Sequence, residues 1–222
     1  MLDFRLIGQY LPDFFSALGM TLKIALISGA LSLVVGTILG MLSLVNNKAV
    51  QTPIKLFNGF IRSSPLLVQL YLVHYGLPTF GILLAAFQSA IITFTLNTGS
   101  YISEIVRGGL NSIDKGQYEA SKALGLSWFK MMWKVILPQV FKRILPPLVS
   151  QLSYLIKDTS LAAVLSIQEI TYVSRSVSST TYKPIESYGV PMLMYLIIYI
   201  LFSLLSKAIV SSGKNPARVK VA

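Results

Sequence analysis

Cysteine is absent from this 222-residue chain, and histidine occurs once. Without thiols there are no disulfides, no thiolate metal sites and no cysteine nucleophile. A single imidazole builds no His-rich metal cluster. Charge is scarce as well: Asp, Glu, Lys and Arg together make 12%, against about 25% in an ordinary soluble domain. Acidic residues are the scarcest, eight against 19 basic ones, for a formal charge of +11. Also missing are G-x-x-x-x-G-K-[ST], H-E-x-x-H and a Gly-rich dinucleotide fingerprint. If ATP powers anything here, another chain hydrolyses it. Apolar residues dominate instead, at 54%, with a mean hydropathy of +0.67. So few charges cannot cover a globular surface in water, which argues against a soluble enzyme and against a disordered tail. The length allows one domain, or about one and a half.

The apolar residues fall into runs. Residues 1–16 are mixed, interrupted by Asp3, Arg5, Pro12 and Asp13. Leu18 to Val45 then carries Lys23 as its only charge, a run longer than the roughly 20 residues needed to cross a bilayer. It is too long for a signal-peptide core, and Asn46-Asn47-Lys48 is no cleavage site. Further spans are expected at about 54–77, 81–106, 145–167 and 188–206, with a polar loop at 168–187. The expected fold is an all-α integral membrane protein with five transmembrane helices in a domain over 17–207. Residues 107–143 form its largest loop, and 208–222 a basic tail.

Charge orients these spans. With the N-terminus outside, residues 48–55, 107–143 and the C-terminal tail lie on the cytoplasmic side and hold most of the basic residues. The outer segments keep only Arg5, Lys23, Arg175 and Lys183. This is the arrangement the positive-inside rule favours. The excess of +11 therefore reads as topology, and nucleic acid is not an expected partner.

Small and polar residues occupy particular faces. Ser28, Ser32, Gly36 and Gly40 recur every four residues, a spacing that lets helices approach closely in lipid; packing, within or between subunits, explains them better than ligand binding. The third span is unusually polar. Asn97, Tyr101 and Glu104 share a helical face, and Asn97 lies about 15 Å in from Arg107, near the bilayer midplane. Polar groups there face a bundle interior or a wet cavity. For single Ser or Thr residues, helix glue and a substrate path are both open; Asn97 points to a path, and Glu104 could simply pair with Arg107. In the fourth span, Lys157 of Lys157-Asp158-Thr159-Ser160 would be about 21 Å from Arg143. Intramembrane charges are functional candidates by default, with a structural ion pair as the alternative. His74, beside Tyr71 and Tyr75, fits an interfacial aromatic belt and is assigned no chemistry.

The most specific stretch is Gln117-Tyr118-Glu119-Ala120-Ser121-Lys122-Ala123-Leu124-Gly125, followed at a distance by Val135-Ile136-Leu137-Pro138. Glu119 to Leu124 suits a short helix, with small Ala120 and Ala123 on an approachable face and Gly125 at its end. Trp128, Phe129, Met131, Met132 and Trp133 make an apolar cluster in a basic loop. Such clusters mark interaction sites, or a loop helix lying on the membrane with Trp at the headgroups and Lys in the phosphates.

Residues 119–138 resemble the E-A-A-x-x-x-G-x9-I-x-L-P loop of ABC importer permeases, the inner-membrane components of binding-protein-dependent transport. Ser121 stands for the second Ala and Val135 for Ile. Other stretches are similar to the polar amino-acid branch: Ile61-Arg62-Ser63-Ser64-Pro65-Leu66-Leu67-Val68-Gln69, Asn97 to Gly109, Leu155-Ile156-Lys157-Asp158-Thr159-Ser160-Leu161, and Pro184 to Tyr188. They occur in family order and, with the spans, cover about 17–207.

The resemblance implies a type I ABC importer permease fold in a bacterial plasma membrane and a chain that is not itself an enzyme. Its partners would be cytoplasmic ATPase subunits, an external binding protein and a second permease copy or sister permease. ATP and Mg would sit in the ATPase, with no cofactor or metal in this chain. Glu119, Ala120, Ser121 and Gly125 would belong to a coupling helix docked in an ATPase groove. Asn97, Tyr101 and Asp158 would lie near the substrate path, with Arg62, Glu104, Lys157 and Thr159 as further candidates. The cargo would be a polar amino acid, or cystine or an amino-acid derivative. An ATP-independent channel or half-transporter is the rival reading; it leaves the 119–138 loop without a purpose.

Overall fold

The computed structural model describes the backbone of residues 8–212 and the side chains of residues 8–206. Asp3 and Arg5 of the expected outer segment, and Lys214, Arg218 and Lys220 of the basic tail, lie outside the described residues. Every regular element among the described residues is helical.

Helix α1 spans Leu11–Leu42 and starts seven residues before the expected span. Pro12 sits in its first turn, where a missing N–H costs nothing, and Asp13 faces the positive end of the dipole. Phe14, Ala17, Thr21, Ile24, Ser28 and Ser32 form its buried stripe. The opposite face is equally apolar, with Leu26 71% and Val34 58% exposed. A helix apolar on all sides belongs in a large core or a membrane.

The expected span at 54–77 is not one helix. Helix α2, Lys48–Ser63, begins at Asn47, whose side chain accepts a hydrogen bond from the Ala49 N–H. It stops at Ser64, which is extended at φ −105° and ψ 145°. Pro65 is the cause: it lacks a donor, and its ring drives the preceding residue out of the helical region. Helix α3, Leu66–Tyr71, then runs on through a π turn, Leu72–Gly76, and a 3-10 turn, Leu77–Phe80. Gly81 ends it at φ +80°, a left-handed conformation that glycine adopts without strain.

Helix α4, Ala86–Asn111, is the hub, packed on α1, α2 and α3 and on the later helix α7. Short helices α5, Lys115–Ala123, and α6, Trp128–Met131, follow. A π turn, Met132–Ile136, leads into α7, Leu137–Asp158, which tightens into the 3-10 turn Thr159–Leu165. Residues 107–143 are therefore mostly helical, at the ends of α4 and α7 and in the helices between them.

The expected polar loop at 168–187 instead contains helix α8, Ile170–Thr181. Its buried residues Ile170, Ser174 and Val177 fall at helical spacing, and the Glu169 side chain caps it by accepting from the Tyr172 N–H. The Ser and Thr content disguised this periodicity. Helix α9, Pro184–Ser212, runs past the expected end of the domain. Only α1 and Pro184–Ser206 of α9 are long and apolar enough, among the described residues, to cross a membrane by length and composition alone. The main core lies where α1, α3, α4, α7 and the turn after α7 meet, around Ile24, Leu70, Phe94 and Leu155.

Candidate functional site

The small-residue stripe of α1 lies directly against α4. A Cβ at Gly36 would come 2.6 Å from the Ile102 Cβ and 2.7 Å from the Gly99 carbonyl oxygen; one at Gly40 would come 2.7 Å from the Ser103 carbonyl oxygen. Ser28 and Ser32 donate to carbonyls one turn back, and Ser32 also reaches the Thr95 carbonyl at 3.3 Å. The stripe thus packs within one chain.

A polar seam joins α4 to the broken α2–α3 pair. Gln69 donates through Nε2 to the Ile61 carbonyl (2.7 Å), the Ser64 carbonyl (3.0 Å) and the Ser64 hydroxyl (2.8 Å). Carbonyls released by the break at Pro65 are satisfied this way. On its other atom Gln69 accepts from Asn97 Nδ2 at 3.0 Å. Nearer the end of α4, Asn58 donates to Ser103 Oγ (3.0 Å) and Glu104 Oε1 (3.2 Å). Glu104 also accepts two bonds from Arg107, at 3.1 and 2.6 Å, and lies 3.9 Å from Arg62. The Arg62 guanidinium sits 5.1 Å over the Tyr101 ring. Arg62, Asn97, Tyr101 and Glu104 therefore share one seam. Asn58 and Gln69 complete it, and sequence reasoning missed both. A polar side chain recurring on the inner face of an otherwise apolar span was the available signal.

The remaining sequence-derived residues point elsewhere. Lys157 places its ammonium 4.6 Å from the Tyr154 ring and 5.5 Å from the Tyr199 ring, and no hydrogen bond or ion pair links it to the seam among the described residues. Thr159 is fully buried and donates to the Ile156 carbonyl at 2.7 Å. Asp158 is partly buried at the end of α7. These three do not join Arg62, Asn97, Tyr101 and Glu104 in one constellation. Thr93 and Ser100 of α4 donate to carbonyls of their own helix, the ordinary way a buried hydroxyl is satisfied. His74 meets Ser89 Oγ through Nδ1 at 2.9 Å, so it ties α3 to α4.

A second buried polar cluster lies around Glu169, which is fully buried. Its carboxylate accepts from the Tyr172 N–H at 2.8 Å and from the Tyr195 hydroxyl at 2.7 Å. The adjoining Ile170 N–H reaches Thr21 Oγ1 at 3.3 Å. α8 and α9 thus meet on Glu169, and α1 reaches the adjoining Ile170. Burial raises the Glu169 pKa above its ordinary value; the bonds from the Thr171 backbone, Tyr195 and the Tyr172 backbone oppose that rise.

The loop helix α5 is built to present a surface. Asp114 caps it through the Gly116 N–H, and Gly125 at φ +69° lies just beyond its end. Glu119, Ala120, Ala123 and Leu124 face outward, Leu124 with 79% of its surface exposed. Ser121 does not join them. It is 3% exposed and donates to the Gln117 carbonyl at 2.6 Å. Behind α5, Tyr118 packs on a small core of Ile113, Met131, Ile136 and Val140. The Arg143 guanidinium donates to the backbone carbonyl and hydroxyl of Ser112, tying α7 to the end of α4. The exposed face is therefore rigidly backed.

A family described as "Binding-protein-dependent transport system inner membrane component" matches residues 32–211. The chain is 32% identical over 209 residues to the arginine transport system permease protein ArtQ of Bacillus subtilis, covering 94% of this chain and 95% of that one. It is 35% identical over 207 residues to the nopaline transport system permease protein NocM of Agrobacterium fabrum, covering 89% and 86%. Among solved structures, an amino acid ABC transporter with histidines matches with a TM-score of 0.89 and 30% identity, over 96% of this chain and 99% of that one. The MetNI methionine ABC transporter, inward facing, shares the fold at a TM-score of 0.77 and 19% identity, over 92% and 98%.

Proposed function

The chain belongs to the family of binding-protein-dependent transport system inner membrane components, and from that premise we propose that it is the permease subunit of an ATP-driven amino-acid importer. It receives a polar amino acid from an external binding protein and passes it across a bacterial inner membrane. Five crossings are made by α1, by α2 and α3 together, and by α4, α7 and α9, with the N-terminus outside and the C-terminus cytoplasmic. A second permease copy or a sister permease completes the pore. ATP and Mg belong to a separate ATPase, and this chain has no enzymatic step of its own.

The observation that carries this reading is α5: a capped helix with an exposed face, backed by a small core of its own and by the Arg143–Ser112 tie. A rigid helix transmits a partner's motion when it is seated firmly at both ends. Glu119, Ala120 and Gly125 meet the ATPase, while Ser121 braces the helix from behind. ATP-driven motion at α5 then shifts the helices between inward-open and outward-open states, which requires nucleotide and cargo to favour different states. The seam of Arg62, Asn97, Tyr101 and Glu104 lies beside the path. Its carboxylate and guanidinium are the charges available to an amino acid's ammonium and carboxylate. A second cargo, cystine or an amino-acid derivative, fits the same machine; the nopaline relative favours keeping it.

The test is ATP hydrolysis in proteoliposomes containing this chain, co-expressed with an ATPase and a binding protein of the same kind of importer, across an amino-acid panel. One polar amino acid should stimulate hydrolysis. Glu119→Arg should lower that stimulation more than about tenfold, the size of a lost interface hot spot, with membrane insertion unchanged. An inserted chain that retains no ATPase, and that Glu119→Arg leaves unaltered, would refute the proposal.

A further inference from the structure

A groove of about 1490 Å³ lies between the last turns of α1 and α4 and the α6–α7 segment. We propose that it is a binding site for an anionic phospholipid of the cytoplasmic leaflet. The proposal rests on the membrane orientation given above.

Its walls are apolar, with Leu33 and Met41 from α1, Val106 and Leu110 from α4, and Leu145 and Leu148 from α7. Along α7 the lining runs from Leu137 to Leu148, about 16 Å at the helical rise. The slot therefore has the length and chemistry of an acyl chain. A free phosphate would have no use for it.

The mouth has a different character. Tyr118, Trp128, Trp133, Asn111 and Lys142 line it. Exposed Lys130 and Lys134 adjoin the two tryptophans, and exposed Lys48 opens α2 three residues after Val45 of the lining. Among the described residues, no Asp or Glu lines the groove. Indoles at headgroup depth and lysines around a cytoplasmic apolar slot match a lipid with a negatively charged head. Lys142 is part of the lining and exposed, and a lysine stem can lie along an apolar wall while its ammonium meets a phosphate.

Trp128 and Trp133 are the only tryptophans in the sequence, and both line the groove, so intrinsic fluorescence reports its occupancy. The full chain is placed in vesicles containing increasing fractions of phosphatidylglycerol brominated on its acyl chains, or of phosphatidylcholine brominated in the same way. The anionic lipid should half-quench the tryptophans at a lower fraction, by about fivefold for each lysine engaged. Lys134→Gln combined with Lys142→Gln should bring the two curves together while helical circular dichroism stays unchanged. Coincident wild-type curves, or a preference that survives the double variant, would overturn the site. Absence of quenching by either lipid, with blue-shifted emission, would mean that a second copy covers the groove, and would overturn it too. Flotation of the chain with the vesicles separates the two readings. Inserted chain with coincident curves removes the lipid site alone, whereas chain that does not float removes the membrane reading and the site with it.

Discussion

The bond between Asn97 and Gln69 decides whether Asn97 is held by the protein or free for cargo, and a double-mutant cycle tests it. Asn97→Leu removes one interhelical hydrogen bond of 3.0 Å. Such bonds within a membrane are worth about 0.6 kcal/mol on average and at most about 1.7 kcal/mol. Gln69→Leu removes the same bond and also the donors serving the Ile61 and Ser64 carbonyls. At about 1 kcal/mol for each of those, its cost rises to roughly 2.6–3.7 kcal/mol. The double variant should then be less destabilised than the sum of the singles by about 0.6–1.7 kcal/mol. Unfolding in mixed micelles with increasing SDS, followed by circular dichroism, gives the three differences. If the effects add to within about 0.5 kcal/mol, the bond contributes nothing and the account of the seam is wrong. If Asn97→Leu abolishes transport with no change in stability, Asn97 meets the cargo instead of holding the seam.

Two further predictions concern packing and burial. Gly36→Ala forces a Cβ to 2.6 Å from Ile102 and should cost about 1–3 kcal/mol, read as a lower thermal midpoint in detergent; Gly59→Ala, with nothing within 4 Å of its Cβ, is the control, and equal midpoints for the two would refute close packing along the stripe. Glu169→Ala removes the acceptor of the Tyr172 N–H and one partner of the Tyr195 hydroxyl, which keeps Thr159 and Thr171, and should cost about 1–3 kcal/mol, whereas Glu169→Gln keeps an acceptor and should cost less. Because burial raises the Glu169 pKa above its ordinary 4.5, the folded state holds the proton more tightly. Wild type should therefore lose stability relative to Glu169→Gln as pH rises from about 4.5 through the raised value, and a difference in midpoint that does not vary with pH would contradict the burial argument.

Much of the architecture is legible before folding because it depends on local chemistry. Long apolar runs in a chain with few charges require a low-dielectric surrounding. Glycines and serines spaced by four mark where helices approach. Gly125 marks the end of α5 by a capping rule that acts within a few residues. Other features depend on neighbours distant in the chain. Pro65 was visible in the sequence, but its break is tolerated because Gln69 satisfies the freed carbonyls, and Gln69 is in turn held by Asn97 from 28 residues away. Ser121 belongs to the expected coupling stretch, yet it is buried and points inward because Tyr118 and the core behind α5 set the roll of that helix. Lys157 and Asp158 are adjacent in the sequence, but α7 turns Lys157 towards the tyrosines and away from the seam. Periodicity determines which residues share a face. Only the packed helices determine what that face meets, because each contact is made by a partner whose position depends on the whole fold.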